Sequence, residues 1–313
     1  MSAFIERLIA MLRRLAASRF ATHHAPRIAE ALRNYAQLIR LERPIGWLLL
    51  LWPALWALWL SSVGRPNERV FIVFVLGVFL TRSAGCAFND VIDRDFDPHV
   101  ERTKDRPLAA KRIRPSEALA VFAALSLLAL WLVITLNALT QKLALAGAAM
   151  MVTYPFFKRF FPAPQLYLGI AFSWSIPMAY AAQTGHVSRL GWLLFIAGIL
   201  WTAVYDTMYA MVDRDDDIKI GVKSTAILFG DSDRLIVGIM QACTLLALWL
   251  IGRDLQLHAW FNGGLCVALA LAGYQQYLIR NRERDGCLRA FANNNYFGMA
   301  IFLGIALDYI FRR

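Results

Sequence analysis

Nine apolar stretches, each about long enough to cross a bilayer, constrain this chain more than any other feature. They run over 45–62, 70–89, 116–136, 143–157, 165–183, 190–212, 235–252, 258–279 and 291–311. In hydrocarbon every backbone N–H and C=O must find its partner inside the protein, so such stretches predict helices. Several contain Pro or Gly, which membrane helices tolerate. Hydrophobic residues make up 58% of the sequence, too many for a soluble domain. The expected fold is an all-α polytopic membrane protein with nine transmembrane helices.

The connections divide by length and charge. Those at 63–69, 137–142, 184–189 and 253–257 are short, and those at 90–115, 158–164, 213–234 and 280–290 are charged and mostly longer. Of the 33 lysines and arginines, 25 fall in the N-terminal 44 residues or the charged loops, 7 on the other side, and Arg82 inside a span. Cytoplasmic loops carry the excess of Lys and Arg, which predicts a cytoplasmic N-terminus and a C-terminus on the opposite face. The net charge of +11 then points to anionic lipid headgroups, not to nucleic acid.

Residues 1–34 read as a basic amphipathic extension and 35–313 as the transmembrane domain. Ile5, Leu8, Ile9, Leu12 and Leu15 recur at helical spacing among Arg7, Arg13, Arg14 and Arg19, as in an interfacial helix. The abundance of Arg and the single acid before Glu30 also suit a cleaved transit peptide. The four cysteines show no metal or disulfide spacing and read as packing residues.

Chemistry concentrates where the second apolar stretch ends, at Asn89-Asp90-Val91-Ile92-Asp93-Arg94-Asp95-Phe96-Asp97. Asp90, Asp93 and Asp97 share one face if the helix continues. Carboxylates at the membrane edge are rare and default to function, although a solvated acidic loop would look the same. A second cluster closes the sixth stretch, with Asp206, Asp213 and Asp217 on one helical face and Tyr209 between them. By the charge asymmetry both clusters emerge at one cytoplasmic mouth. Hard oxygen ligands in two facing sets suit Mg²⁺ ions bridging a diphosphate. With a lipid tail on that diphosphate, the natural reaction is ionisation of an allylic diphosphate.

The basic residues fit the same picture. Lys158, closing the fourth stretch, can donate to a diphosphate oxygen or simply flank the membrane. Arg102, Lys104 and Arg106 can cap the diphosphate or face solvent. Arg82 lies eight residues before Asp90, about 12 Å deeper on roughly the same face. A buried cation there needs an anion, either the acidic clusters or a substrate carboxylate. Arg43, at the entrance to the first stretch, is a second such arginine or a snorkelling one.

These residues resemble the UbiA superfamily of intramembrane aromatic prenyltransferases. Its motif N-D-x-x-D-x-x-x-D is matched by Asn89, Asp90, Asp93 and Asp97. D-x-x-x-D is matched by Asp213 and Asp217, and Y-x-x-x-K by Tyr154 and Lys158. Arg43-Pro44-Ile45-Gly46 with Leu51-Trp52-Pro53, Arg102-Thr103-Lys104-Asp105-Arg106-Pro107 and Lys223-Ser224-Thr225-Ala226 resemble its 4-hydroxybenzoate branch. The likeness runs from about residue 35 to the C-terminus.

The resemblance implies nine helices around a central cavity that opens laterally to lipid. It implies Mg²⁺, polyprenyl diphosphate and 4-hydroxybenzoate, in ubiquinone biosynthesis at a bacterial inner membrane, with the C-terminus periplasmic. It assigns Mg²⁺ to Asp90, Asp93, Asp97, Asp213 and Asp217 with help from Asn89. Arg102, Arg106, Lys158, Tyr154 and Tyr209 go to the diphosphate end, and Arg82 with Arg43 to the acceptor carboxylate. Asp206 is a candidate proton acceptor. A different acceptor (a naphthoate, homogentisate or haem) and a cation-coupled transporter are the competing expectations.

Overall fold

The computed structural model describes residues 19–157 and 159–311, and among them all regular structure is helical. The twelve α-helices are α1 (Arg19–Leu38), α2 (Ile45–Ser61), α3 (Glu68–Ile92), α4 (Pro115–Val133), α5 (Ala138–Phe157), α6 (Pro164–Ser173), α7 (Ser175–Thr184), α8 (Arg189–Ile220), α9 (Thr225–Phe229), α10 (Asp233–Asp254), α11 (Ala259–Leu278) and α12 (Arg284–Phe311). Each expected apolar stretch falls on a helix, the fifth on two. There Pro177 lacks the N–H that would reach back to Ser173, and the helix breaks at Trp174. Four segments are long and apolar enough to cross a membrane by length and composition: Glu68–Ile92, Pro115–Val133, Arg189–Ile220 and Thr225–Asp254. The chain is thus an integral membrane protein whose described residues form helices and the loops between them. The periodic leucines of the N-terminal extension, Ile5 to Leu15, lie outside the described residues.

Two boundaries differ from expectation, and both bear on the acidic motifs. The sixth apolar stretch was expected to end at 212, but α8 continues through the whole second motif to Ile220. Gly221 stops it in the left-handed region (φ 74°), donating its N–H to the carbonyl of Asp217. Asp206, Tyr209, Asp213 and Asp217 are therefore carried on one rigid helix. The first motif does the opposite. α3 ends at Ile92 and Asp93 is its C-cap. The chain then turns, with the Asp97 N–H donating to the Asp93 carbonyl at 2.8 Å. Asp97 opens a short 3₁₀ turn, Asp97–His99. The three carboxylates are not on one helix face, but the turn folds Asp97 back beside the helix end.

The core lies where α2, α8 and α12 meet. The rings of Trp56 and Trp201 are 5.0 Å apart, and Trp201 stacks on Phe297 at 5.8 Å. Their indole N–H groups are satisfied within the protein, Trp56 by the Gly298 carbonyl and Trp201 by Asn294 Oδ1, as a water-free interior requires. α4 and α5 are different: Leu127, Trp131 and Leu145 are exposed, an apolar surface suited to lipid. α1 is tied to the start of α4, where Tyr35 donates to Glu117 Oε1 at 2.9 Å and Arg112 to Asn34 Oδ1 at 3.2 Å.

α11 and α12 cross through glycines. A Cβ on Gly264 would stand 2.7 Å from the Ala300 carbonyl oxygen and 3.1 Å from the Gly304 Cα. Small residues of this kind let membrane helices approach closely. Gly264→Leu should force the pair apart and lower stability by roughly 1–3 kcal/mol. The check is thermal unfolding of the detergent-solubilised chain, with Gly263→Leu as control, since nothing lies within 4 Å of a Cβ there.

A candidate active site at the mouth of the helix bundle

One cavity of about 1020 Å³ is bounded by α2 to α8 and α12, and both acidic motifs line it. The last turn of α3 buries Asp90, which is 1% exposed, as is Asp93 just beyond it. Asn89 donates from Nδ2 to Asp93 Oδ2 at 2.8 Å and so fixes that carboxylate. Thr103 pins the turn by donating to the Asp97 carbonyl at 2.8 Å. Across the cavity α8 presents Asp206, Tyr209, Asp213 and Asp217. Asp95 is exposed beside Arg94, and Asp216 pairs with Arg284, so these extra acids stand away from the cavity.

Three arginines pair with three of the buried carboxylates, Asp90, Asp97 and Asp213. Arg106 Nη1 lies 2.9 Å and 3.1 Å from the two oxygens of Asp97, and 3.1 Å from Asp90 Oδ1. Arg102 Nε is 3.0 Å from both oxygens of Asp213, its Nη2 is 2.5 Å from Oδ2, and its Nη1 donates to the Tyr209 hydroxyl at 2.6 Å. Tyr209 in turn stacks on Phe291 at 4.5 Å. The third is Arg40, from the turn after α1, whose Nη2 stands 2.6 Å from Asp90 Oδ1. Burial pushes the Asp97 carboxyl up, Arg106 opposes this, and neighbouring Asp90 and Asp93 add to it. Burial works against the Arg102 charge, yet Tyr209 and Asp213 hold its pKa above the usual arginine value.

The other basic residues separate cleanly. Lys104 points out to Glu101 at 2.7 Å and does not line the cavity. Arg43 is exposed at the cavity rim. Lys158 lies outside the described residues. Arg82 lies deeper and, among the described residues, forms no ion pair. Its Nε donates to the Gly46 carbonyl at 3.3 Å, its Nη1 to Cys86 Sγ at 2.7 Å, and its guanidinium stands 5.9 Å from the Phe172 ring. The acidic clusters, one of its two expected partners, are therefore engaged elsewhere. Tyr154 lies within electrostatic reach of Asp206, Asp93 and Arg82. Beyond them Leu130, Val133, Leu145, Ala148 and Met151 extend the cavity as an apolar arm between α4 and α5.

Sequence reasoning missed Arg40, Cys86 and Arg159. Arg40 entered only the count of cations in the N-terminal 44 residues, and Cys86 reads in the sequence as a packing residue, whereas both line the cavity. Arg159 donates to the Ile92 carbonyl at 2.9 Å and so braces the end of α3.

The donor set fits a divalent cation. The oxygens are hard and anionic, and Asp90 Oδ2 is buried with no hydrogen-bond partner among the described residues. Among those residues, however, no three acidic, His or Cys side chains stand gathered as a ready cluster. The cations on the carboxylates here are guanidinium groups.

The comparisons agree with this geometry. The 4-hydroxybenzoate octaprenyltransferase of Aeromonas salmonicida is 55% identical over 276 residues, 88% of this chain and 96% of that one. The apo structure of a UbiA homolog from Aeropyrum pernix K1 superposes with a TM-score of 0.74 at 27% identity, covering 84% of this chain and 97% of that one. A UbiA homolog from Archaeoglobus fulgidus, bound to GPP and Mg²⁺, shares the fold at a TM-score of 0.66 and 17% identity, covering 88% and 99%. The UbiA prenyltransferase family matches residues 50–302, and the chain belongs to that family.

Proposed function

We propose that the protein transfers a polyprenyl group from polyprenyl diphosphate to the ring carbon ortho to the hydroxyl of 4-hydroxybenzoate, in ubiquinone biosynthesis. The observation that carries this reading is a single cavity with three chemically distinct parts. Its acidic and arginine-lined mouth suits a metal-bound diphosphate, its apolar arm a prenyl tail, and Arg82 an acceptor carboxylate. The name of the Aeromonas relative supports the acceptor, and the GPP- and Mg²⁺-bound Archaeoglobus homolog supports the donor and the cation.

Asp90, Asp93, Asp97, Asp213 and Asp217, with Asn89 holding Asp93, are the residues that would bind Mg²⁺. When bound, the metal offsets the charge that develops on the departing diphosphate. The chain's own residues do the rest. Arg102 and Arg106 donate to diphosphate oxygens, with Tyr209 orienting Arg102, an electrostatic contribution aimed at the leaving group. Lys158 adds a point charge and Tyr154 a hydroxyl at the same end. The allylic C–O bond breaks with its electron pair leaving on the diphosphate. The apolar walls keep water from the carbon left cationic.

Arg82, with Arg43 at the rim, holds the aromatic carboxylate so that the carbon beside the hydroxyl faces that centre. A C–C bond forms there, and the ring proton passes to a base, for which Asp206, within electrostatic reach of Tyr154, is the candidate. Nine helices cross the inner membrane in this reading, with the N-terminus and the acidic mouth in the cytoplasm and the C-terminus in the periplasm. Residues 1–34 lie on the cytoplasmic surface. The excess of Lys and Arg on one side supports that orientation.

The function is tested with membranes carrying the protein, labelled 4-hydroxybenzoate and a long-chain prenyl diphosphate. Transfer should require Mg²⁺ and stop with EDTA, and dihydroxynaphthoate and homogentisate should compete poorly. Transfer of those acceptors in preference to 4-hydroxybenzoate would overturn the assignment. Asp90→Asn and Asp213→Asn should each abolish transfer while the protein stays in the membrane.

Arg82→Ala should raise KM for 4-hydroxybenzoate by about 10- to 100-fold with a smaller change in kcat, because a charged hydrogen-bonding partner is lost. An unchanged KM would assign Arg82 to structure alone. For the Arg102–Asp213 pair a double-mutant cycle on thermal stability is expected to give a coupling of about 1–3 kcal/mol. Arg102→Ala alone should be more destabilising than Arg102→Ala with Asp213→Asn, since the latter leaves no buried unpaired charge.

A further inference from the structure

Arg40 is the cavity arginine to which neither the motifs nor the charge pattern gives a task. It sits in the turn between α1 and α2 with a backbone φ of 60°, a conformation residues with a Cβ rarely adopt. One arm of its fork is anchored. Nη1 donates to the carbonyls of Gln37 at 2.8 Å and Leu38 at 3.1 Å, at the end of α1. The other arm, Nη2, reaches Asp90 Oδ1. α1 itself is tied to α4 through Tyr35 and Asn34, so any movement of the free arm is a side-chain movement.

Asp90 Oδ1 carries two guanidinium groups, Arg40 and Arg106, while Oδ2 is buried with no hydrogen-bond partner among the described residues. A divalent cation on this carboxylate would stand within a few ångströms of both arginines and repel them strongly in so buried a place. The two are not equally held. Arg106 also grips both oxygens of Asp97, and Arg102 holds Asp213 and Tyr209. Among the described residues the only ion pair of Arg40 is with Asp90. Arg40 is therefore the arginine that an arriving cation displaces. A displaced, largely buried guanidinium needs another anion, and its planar fork matches phosphate oxygens.

We propose that Arg40 is an additional diphosphate-binding residue, which occupies Asp90 in the empty site and passes to the diphosphate when a divalent cation takes its place on that carboxylate. The exchange rests on the reading of the acidic motifs as the cation- and diphosphate-holding end. It explains how Asp90, buried to 1% exposure, is tolerated before substrate arrives. Cation and diphosphate then bind with positive cooperativity, because the guanidinium released by one is taken up by the other.

The test uses the full chain in nanodiscs, with Mn²⁺ binding followed by electron paramagnetic resonance, alone and with inorganic pyrophosphate. Arg40→Gln should bind Mn²⁺ alone several-fold more tightly than wild type, because a competing cation is gone. In the presence of Mn²⁺ it should bind pyrophosphate about tenfold more weakly. Arg40→Lys keeps the charge without the fork and should fall between the two. A purely structural role predicts weaker Mn²⁺ binding in Arg40→Gln with unchanged pyrophosphate affinity, and that result would overturn the exchange while leaving the cation site standing. A wild-type chain that takes up no Mn²⁺ with pyrophosphate would overturn the cation assignment and the exchange together.

Discussion

Carboxylates buried at the ends of apolar, membrane-length helices are the constraint on which the rest of this structure depends. An ionised carboxylate removed from water is strongly disfavoured unless a cation stands beside it. Asp90, Asp97 and Asp213 all meet that condition through arginines that come from elsewhere in the chain: the turn after α1 and the loop between α3 and α4. The fold of that loop follows from this need. Thr103 fastens it to Asp97, Arg106 returns to Asp97 and Asp90, and Arg102 crosses the cavity to α8. The loop is in effect a bracket whose ends are ion pairs, and it closes one end of the cavity.

Much of this was legible in the sequence because bilayers leave few alternatives. Apolar stretches of membrane length predicted the helices, and all fall on helices, the fifth on two. The acidic clusters were legible for the complementary reason, since Asp residues at the end of an apolar helix need a purpose. The structure shows both clusters lining one cavity. What the sequence did not show was local geometry. Helical spacing put Asp90, Asp93 and Asp97 on one continuous face, yet α3 ends at Ile92 and a turn brings Asp97 back. Residue type alone did not separate the arginines of the loop from Lys104, because all flank the same motif. Burial separates them: Arg102 and Arg106 turn inward to carboxylates, and Lys104 turns to Glu101 in solvent. Arg40 was hidden by the rule that makes membrane topology readable, because a cation beside a helix end is ordinary.

Arg82 stands in contrast to these paired arginines. It shares α3 with Asp90, but its neighbours are a backbone carbonyl, a thiol and an aromatic face. Those contacts orient a guanidinium without neutralising it. Gly46 makes the arrangement possible, because a Cβ there would come within 3.1 Å of Arg82 Nε and Nη2. A cation held in place without an ion pair among the described residues is an electrostatic demand, and a carboxylate-bearing ligand is the simplest way to meet it. The same helix therefore presents saturated charge at one end of the cavity and unsaturated charge deeper in.

That division bears on the order in which the two ends of the site can be prepared. Asp90, Asp97 and Asp213 at the mouth are paired with arginines, so in the proposed exchange a cation arriving on Asp90 displaces Arg40. The deeper arginine needs no displacement before a carboxylate approaches. In that exchange, binding at the mouth moves the Arg40 side chain, and binding at Arg82 does not. The apolar arm between α4 and α5 adds nothing electrostatic and leaves a lipid tail room to lie between the two. In the proposed exchange Asp90, one of the most buried acids, keeps a cation beside it throughout, and that cation changes from a protein group to a ligand.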